Sequence, residues 1–176
     1  MTGAQRRTLA ALALGVGLSA GAAAPPAAAG DSLVEACISA AADLHRVPAG
    51  VIVLLLNVEN GRLGEVSGNS NKTADIGPMQ VNDSWLSKIA AHWRATREAA
   101  FLALRDNFCA NVEGGAWILR QALDEAGGDL WEGVARYHSH TPKYKLDYMR
   151  QVWARALRLR RQAAAELASA DGATGR

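Results

Sequence analysis

A mainly α-helical fold is what this 176-residue chain predicts, on three observations. Apolar residues recur at helical spacing from Val34 onward, and helix-starting and helix-stopping residues bracket nearly every such stretch. The one long polar segment, from Arg62 to Asp75, is rich in Gly, Asn, Ser and Thr and reads as a loop or a small β-hairpin between helices. With 49% hydrophobic residues the chain can bury one core but hardly two, so residues 30–165 are expected to form one domain.

The first 29 residues are a separate matter. Arg6 and Arg7 precede an apolar run from Leu9 to Ala24, and "PPAAAG" supplies the small residues a signal peptidase needs, so 1–29 reads as a secretory signal cut near Ala29. The rival reading, a membrane anchor, needs about 20 spanning residues; the run is shorter, and Pro25 and Pro26 follow it at once. Cleavage removes two of 19 basic residues and leaves them matched to 17 acidic ones. A near-neutral mature chain offers no global field for nucleic acid.

Cys37 and Cys109 are the only cysteines. An even count in an exported chain suggests a disulfide, which over so long a loop would stabilise the fold by roughly 4 kcal/mol in the chain-entropy model. Two buried free thiols are the alternative. A catalytic Cys–His pair is disfavoured, because both cysteines fall within predicted helices whose apolar neighbours raise a thiol's pKa.

The elements follow in order. Ser32 with Glu35 forms a capping box for a first helix whose face carries Val34, Cys37, Ile38 and Ala41 and which ends near His45. A second helix starts at Pro48 and stops at Gly61; its "VIVLLL" core has strand-like composition, but the Pro start, the Gly stop and the length between them favour a buried helix. Helices resume around Asp83 to His92, Glu98 to Leu104 and Asn107 to Ala126, the last closed by Gly127 and Gly128. Asp129 with Glu132 caps another, ending near Tyr137. Thr141 and Pro142 start a final helix carrying Tyr144, Tyr148 and Trp153, with Arg155, Arg158, Arg160 and Arg161 near its end, where they suit the negative end of the helix dipole as a solvated face. Residues 166–176 read as a flexible tail.

Glu59 falls in the last turn of the apolar second helix. Burial raises a carboxyl's pKa, and the negative end of the helix dipole adds to that, so such a group can hold its proton near neutral pH and act as a general acid. The bland alternative is an acid that reaches solvent at the helix end and does nothing.

The company Glu59 keeps decides between them. The segments "VENG", "NSNKTADIGPMQVNDSWL", "CANVEGGAWILRQAL" and "ARYHSHTP" together resemble the lysozyme-like lytic transglycosylases, above all the small exported ones that accompany conjugation, secretion and pilus machinery. The resemblance spans about Leu33 to Val152. It implies a lysozyme-like fold with Glu59 as catalytic acid/base. Met79 and Gln80 would line the glycan groove, with Tyr137 hydrogen-bonded to the catalytic Glu and His138 at one end of the groove. Asn111 would be structural. Asn60, Pro78 and His138-Ser139-His140 depart from the family's usual residues.

The activity so implied is cleavage of the β-1,4 link between N-acetylmuramic acid and N-acetylglucosamine in peptidoglycan. Glu59 protonates the glycosidic oxygen, then as the anion takes the proton of the muramic acid's C6 hydroxyl, leaving a 1,6-anhydro sugar. Asp75, in a pattern that also resembles the c-type lysozymes, is the candidate second carboxylate of a retaining muramidase; the competing reading has it organise the turn into Gly77-Pro78. Glu65 is a weaker candidate, with no motif around it. His138 and His140 have no third ligand spaced to complete a metal site. None of the five tryptophans is assigned to the groove, since at helical spacing they are more often core or core-edge residues. No cofactor is implied. The expected setting is the periplasm, as a monomer, peripheral to a membrane at most, acting on glycan strands beside an envelope-spanning transport apparatus. Two other classes stay open: a non-catalytic peptidoglycan-binding module, and an assembly factor docking through its basic last helix.

Overall fold

The computed structural model describes the backbone of residues 26–174 and the side chains of residues 30–170. The signal segment expected at 1–29 lies outside these residues, apart from the backbone of 26–29. Proline at a first helical position and the alanines behind it propagate a helix readily, and α1 spans Pro26–His45. Ser32 and Glu35 thus lie within α1; the capping box expected there is not the helix start in the full chain.

Arg46 turns left-handed at φ 52°, and α2 (Ala49–Glu59) leaves at 119° to α1. Its buried residues, Val51, Ile52, Leu54 and Leu55, form one broad face turned to the core, while Val53 on the other side is exposed. It stops at Asn60, one residue before the expected glycine. Asn60 takes the left-handed conformation that asparagine tolerates, and its N–H returns to the Leu56 carbonyl at 3.1 Å. Gly61 has a different reason to be glycine: a Cβ there would collide with the Gly77 carbonyl and the Gln80 amide.

The polar segment is a hairpin that gains a third strand. β1 (Val66–Gly68), β2 (Ala74–Ile76) and β3 (Val81–Asn82) form an antiparallel sheet in that order, with Ser67 opposite Asp75 and Asp75 opposite Asn82. β3 is only two residues long, too short for a period-2 pattern. After a 3-10 turn at Asp83–Trp85 come α3 (Leu86–Trp93), α4 (Arg97–Asp106), α5 (Phe108–Glu125), α6 (Leu130–His138) and α7 (Pro142–Thr174). Side chains of Thr96, Asn107 and Asp129 accept backbone N–H groups at the starts of α4, α5 and α6. Gly127 and Gly128 close α5 at φ 64° and 89°.

α7 departs from expectation at its far end. It stays helical to Thr174, where a tail from 166 onward is expected, because alanine, glutamate and leucine continue a helix without needing a packing partner at each turn. Arg155, Arg158, Arg160 and Arg161 are therefore mid-helix, and the dipole argument for them fails. Arg158, Arg160 and Arg161 are exposed. Among the described residues no single helix is long and apolar enough to cross a membrane.

One contiguous core runs from Ile38 to Val152 around α5, whose Val112, Ala116, Ile118, Leu119 and Leu123 are buried. Cys37 and Cys109 pin α1 to α5 as a disulfide with Cα atoms 5.0 Å apart. Asn111, fully buried, holds the sheet onto this core. It donates to the carbonyls of Ile76 (2.9 Å) and Leu104 (2.8 Å) and accepts from the Met79 N–H (2.8 Å). Gly77, at φ 66°, leaves no room for a Cβ against the Asn111 amide. Asn111→Ala strands three buried backbone groups and opens a cavity. It is expected to destabilise the fold by roughly 3 kcal/mol or more, read from urea unfolding.

Candidate active site

The end of α2, the sheet, the end of α6 and the start of α7 enclose a groove of about 810 Å³. Glu59 reaches it because α2 ends there. The residue keeps an edge on the groove, yet enough protein surrounds it that burial pushes its carboxyl from 4.5 up to about 7. A hydrogen bond from Tyr148 works against that rise, and the nearby Asp75 charge adds to it. Glu59 is therefore substantially protonated at neutral pH.

Its hydrogen-bond partner corrects one expectation. Tyr148 Oη donates to Glu59 Oε1 at 2.5 Å. Tyr137, expected in that role, donates to the Met79 carbonyl at 2.9 Å. The reason is placement: Tyr148 and Val152 share the buried stripe of α7, which packs on α2. Tyr137 comes off α6 beneath the 77–80 turn, but is close enough to feel the Glu59 charge, which with burial as the larger cause holds its phenol well above the usual range. Burial and the same carboxylate keep the Tyr148 hydroxyl protonated too.

The side chain of Asp75 bonds to Asn69 and Asn82, the latter across the turn that holds Gly77 and Pro78. From β2 it lines the groove with Glu59, and amides hold both its oxygens: Asn82 Nδ2 donates to Oδ1 at 2.7 Å and Asn69 Nδ2 to Oδ2 at 2.8 Å. The register places Asn82 directly opposite it, and Thr73 Oγ1 accepts from both asparagines. One groove thus carries a carboxyl poised to hold a proton and a second carboxylate oriented by two amides.

Met79 is fully buried. Its side chain fills the space beside Gly115, so it belongs to the core rather than to the groove, and only its backbone serves the site, tying Tyr137 and Asn111 to the turn. Gln80 does line the groove, at φ 48°, with Nε2 donating to the Gly77 carbonyl at 2.9 Å. His138 also lines it; its ring stacks on Tyr148 at 4.3 Å, and burial lowers its pKa against a smaller opposing pull from Asp75. His140 Nε2 pairs with Glu125 Oε2 at 2.8 Å. Trp85 packs against the core as expected, but it also lines the groove, where none of the tryptophans is expected. Glu65 is paired with Arg62 at 3.7 Å and is not among the residues that line the groove.

Because the Tyr148 bond lowers the Glu59 pKa, Tyr148→Phe should move it above about 7. Carboxyl carbon NMR of glutamate-labelled protein across pH reads this directly. An unchanged titration would mean that the hydroxyl does not bear on the acid.

Fold and site together define a mainly helical protein whose groove pairs a proton-holding carboxyl with an amide-held carboxylate. No family model matches the chain, and no curated protein sequence matches it.

Proposed function

We propose that the protein cleaves peptidoglycan glycan strands as a lytic transglycosylase with a lysozyme-like fold. The observation that carries this reading is Glu59: a carboxyl raised to about 7 in an open groove is a general acid at neutral pH. Protonated Glu59 gives its proton to the glycosidic oxygen as the bond to the anomeric carbon of N-acetylmuramic acid breaks. The Asp75 carboxylate, held in place by Asn69 and Asn82, opposes the positive charge that develops on that sugar. Glu59, now anionic, accepts the proton of the C6 hydroxyl as its oxygen closes onto the anomeric carbon. No water is consumed, and the acid is regenerated. The sequence resemblance adds the setting: an exported enzyme that opens the wall for a transport apparatus.

A second reading rests on the amide clamp. A carboxylate so fixed beside a protonated one also suits a retaining muramidase, in which Asp75 attacks the anomeric carbon or stabilises its charge and water finishes the reaction. Mass spectrometry of digested peptidoglycan separates the two. Transglycosylase action leaves muropeptides lighter by one water than the reducing products of hydrolysis. Reducing products alone would replace the first reading with the second.

A further inference from the structure

Away from the groove, the ends of α1 and α3 bring His45 and His92 against Glu113 on α5. His45 Nε2 lies 2.6 Å and His92 Nε2 3.1 Å from the same oxygen, Glu113 Oε1. The three candidate ligand atoms all lie within 4.8 Å of one another. None of the three residues lines the groove, and the glycan chemistry uses none of them. We propose that His45, His92 and Glu113 form a binding site for a late first-row divalent cation, zinc foremost.

The donor set is the first reason. Two imidazole nitrogens and one carboxylate oxygen are a set that zinc accepts with a fourth position left open, and imidazole suits zinc, copper and nickel better than calcium or magnesium. Orientation is the second. The indole N–H of Trp93 donates to the other carboxylate oxygen, Oε2, and so leaves Oε1 as the coordinating atom. The His92 ring is held flat against Trp117, with centroids 4.8 Å apart and planes at 16°. Access is the third. His45 is buried, whereas the His92 and Glu113 side chains are 31% and 21% exposed, so an ion reaches the site from solvent.

Coordination needs the lone pair of each Nε2, so the imidazole protons move to Nδ1 when the ion enters. Without an ion, the same atoms form hydrogen bonds to Oε1, and that is the competing account of the cluster. A bound cation would cross-link three helices distant in sequence, and since the unfolded chain lacks the site it would stabilise the fold.

The test uses untagged protein stripped with a chelator and titrated with zinc chloride alone in a calorimeter. One equivalent should bind, and zinc should raise the unfolding temperature. Cobalt(II) should produce the visible absorption bands of a four-coordinate site. His92→Gln and Glu113→Gln should each weaken zinc binding by at least about tenfold with unchanged circular dichroism and remove the thermal shift. His92 sits at an exposed helix end, so its variant keeps the test sound if Glu113→Gln impairs folding. No binding at millimolar zinc would overturn the proposal and leave a hydrogen-bonded cluster. Binding that survives in both variants would overturn it as well, by placing the ion elsewhere. Glycan cleavage plays no part in these readouts, so the two proposals fail separately.

Discussion

Glu59→Gln is expected to reduce glycan cleavage by about 10²–10⁴-fold, the usual worth of a positioned general acid, while making the protein more stable at alkaline pH. Both effects come from one cause. The amide keeps the shape of the side chain but has no proton to deliver, so turnover falls. Stability changes because the folded state holds the Glu59 proton up to about pH 7 and the unfolded state releases it near 4.5. The folded state therefore binds more protons across that interval, and wild-type stability falls as the pH rises through it. Taken over the whole shift the loss is on the order of 3 kcal/mol. Glutamine does not titrate and escapes it. The stability gap between variant and wild type should open from about pH 4.5, level off above about pH 7, and be visible in urea midpoints. By the same sign, the proposed activity falls as the pH rises through about 7, because the acid is then ionised.

Asp75→Asn is the second large effect. In the transglycosylase scheme the substitution removes the negative charge that opposes the cationic sugar, and the new amide also sets its donor against one of the two amide donors, Asn69 or Asn82, that now hold a carboxylate. Cleavage should fall by about two orders of magnitude or more, in the range of losing one preorganised electrostatic partner. In the muramidase scheme it also removes the covalent partner, and the loss is at least as large. Near-wild-type activity in the Asn variant would return Asp75 to a structural role and leave Glu59 as a lone carboxylate. Measuring kcat and KM separately matters here, since loss of transition-state stabilisation lowers kcat while KM stays close to wild type.

How much of this was legible in the sequence depends on the range of the interaction. Helix ends were, because Thr96, Asn107 and Asp129 cap through local hydrogen bonds. The raised acid at the end of α2 was legible too, since an apolar run ending in a carboxylate states both burial and position. Tyr148 was not assigned to Glu59, because that bond joins residues 89 positions apart and depends on how α7 packs on α2. The spacing of Tyr144, Tyr148 and Val152 shows one helical face but not which helix it meets. The amide clamp on Asp75 was missed for a similar reason. It needs the register of β3, a strand of two residues that no alternation pattern reveals. Met79 misled because a motif position fixes where the backbone goes, whereas the side chain turned into the core beside Gly115. The His45, His92 and Glu113 cluster had no sequence signal at all: its members come from three helices, and the histidines close together in sequence, His138 and His140, are elsewhere.

Purified cell-wall sacculi show whether Glu59 cleaves glycan strands as proposed. Wild-type protein and Glu59→Gln, matched by circular dichroism and by pull-down on the same sacculi, would be incubated with them near neutral pH and the soluble muropeptides quantified. The wild type should release muropeptides, the variant almost none, and both should bind equally. Release by neither protein, or equal release by both, would contradict that role for Glu59.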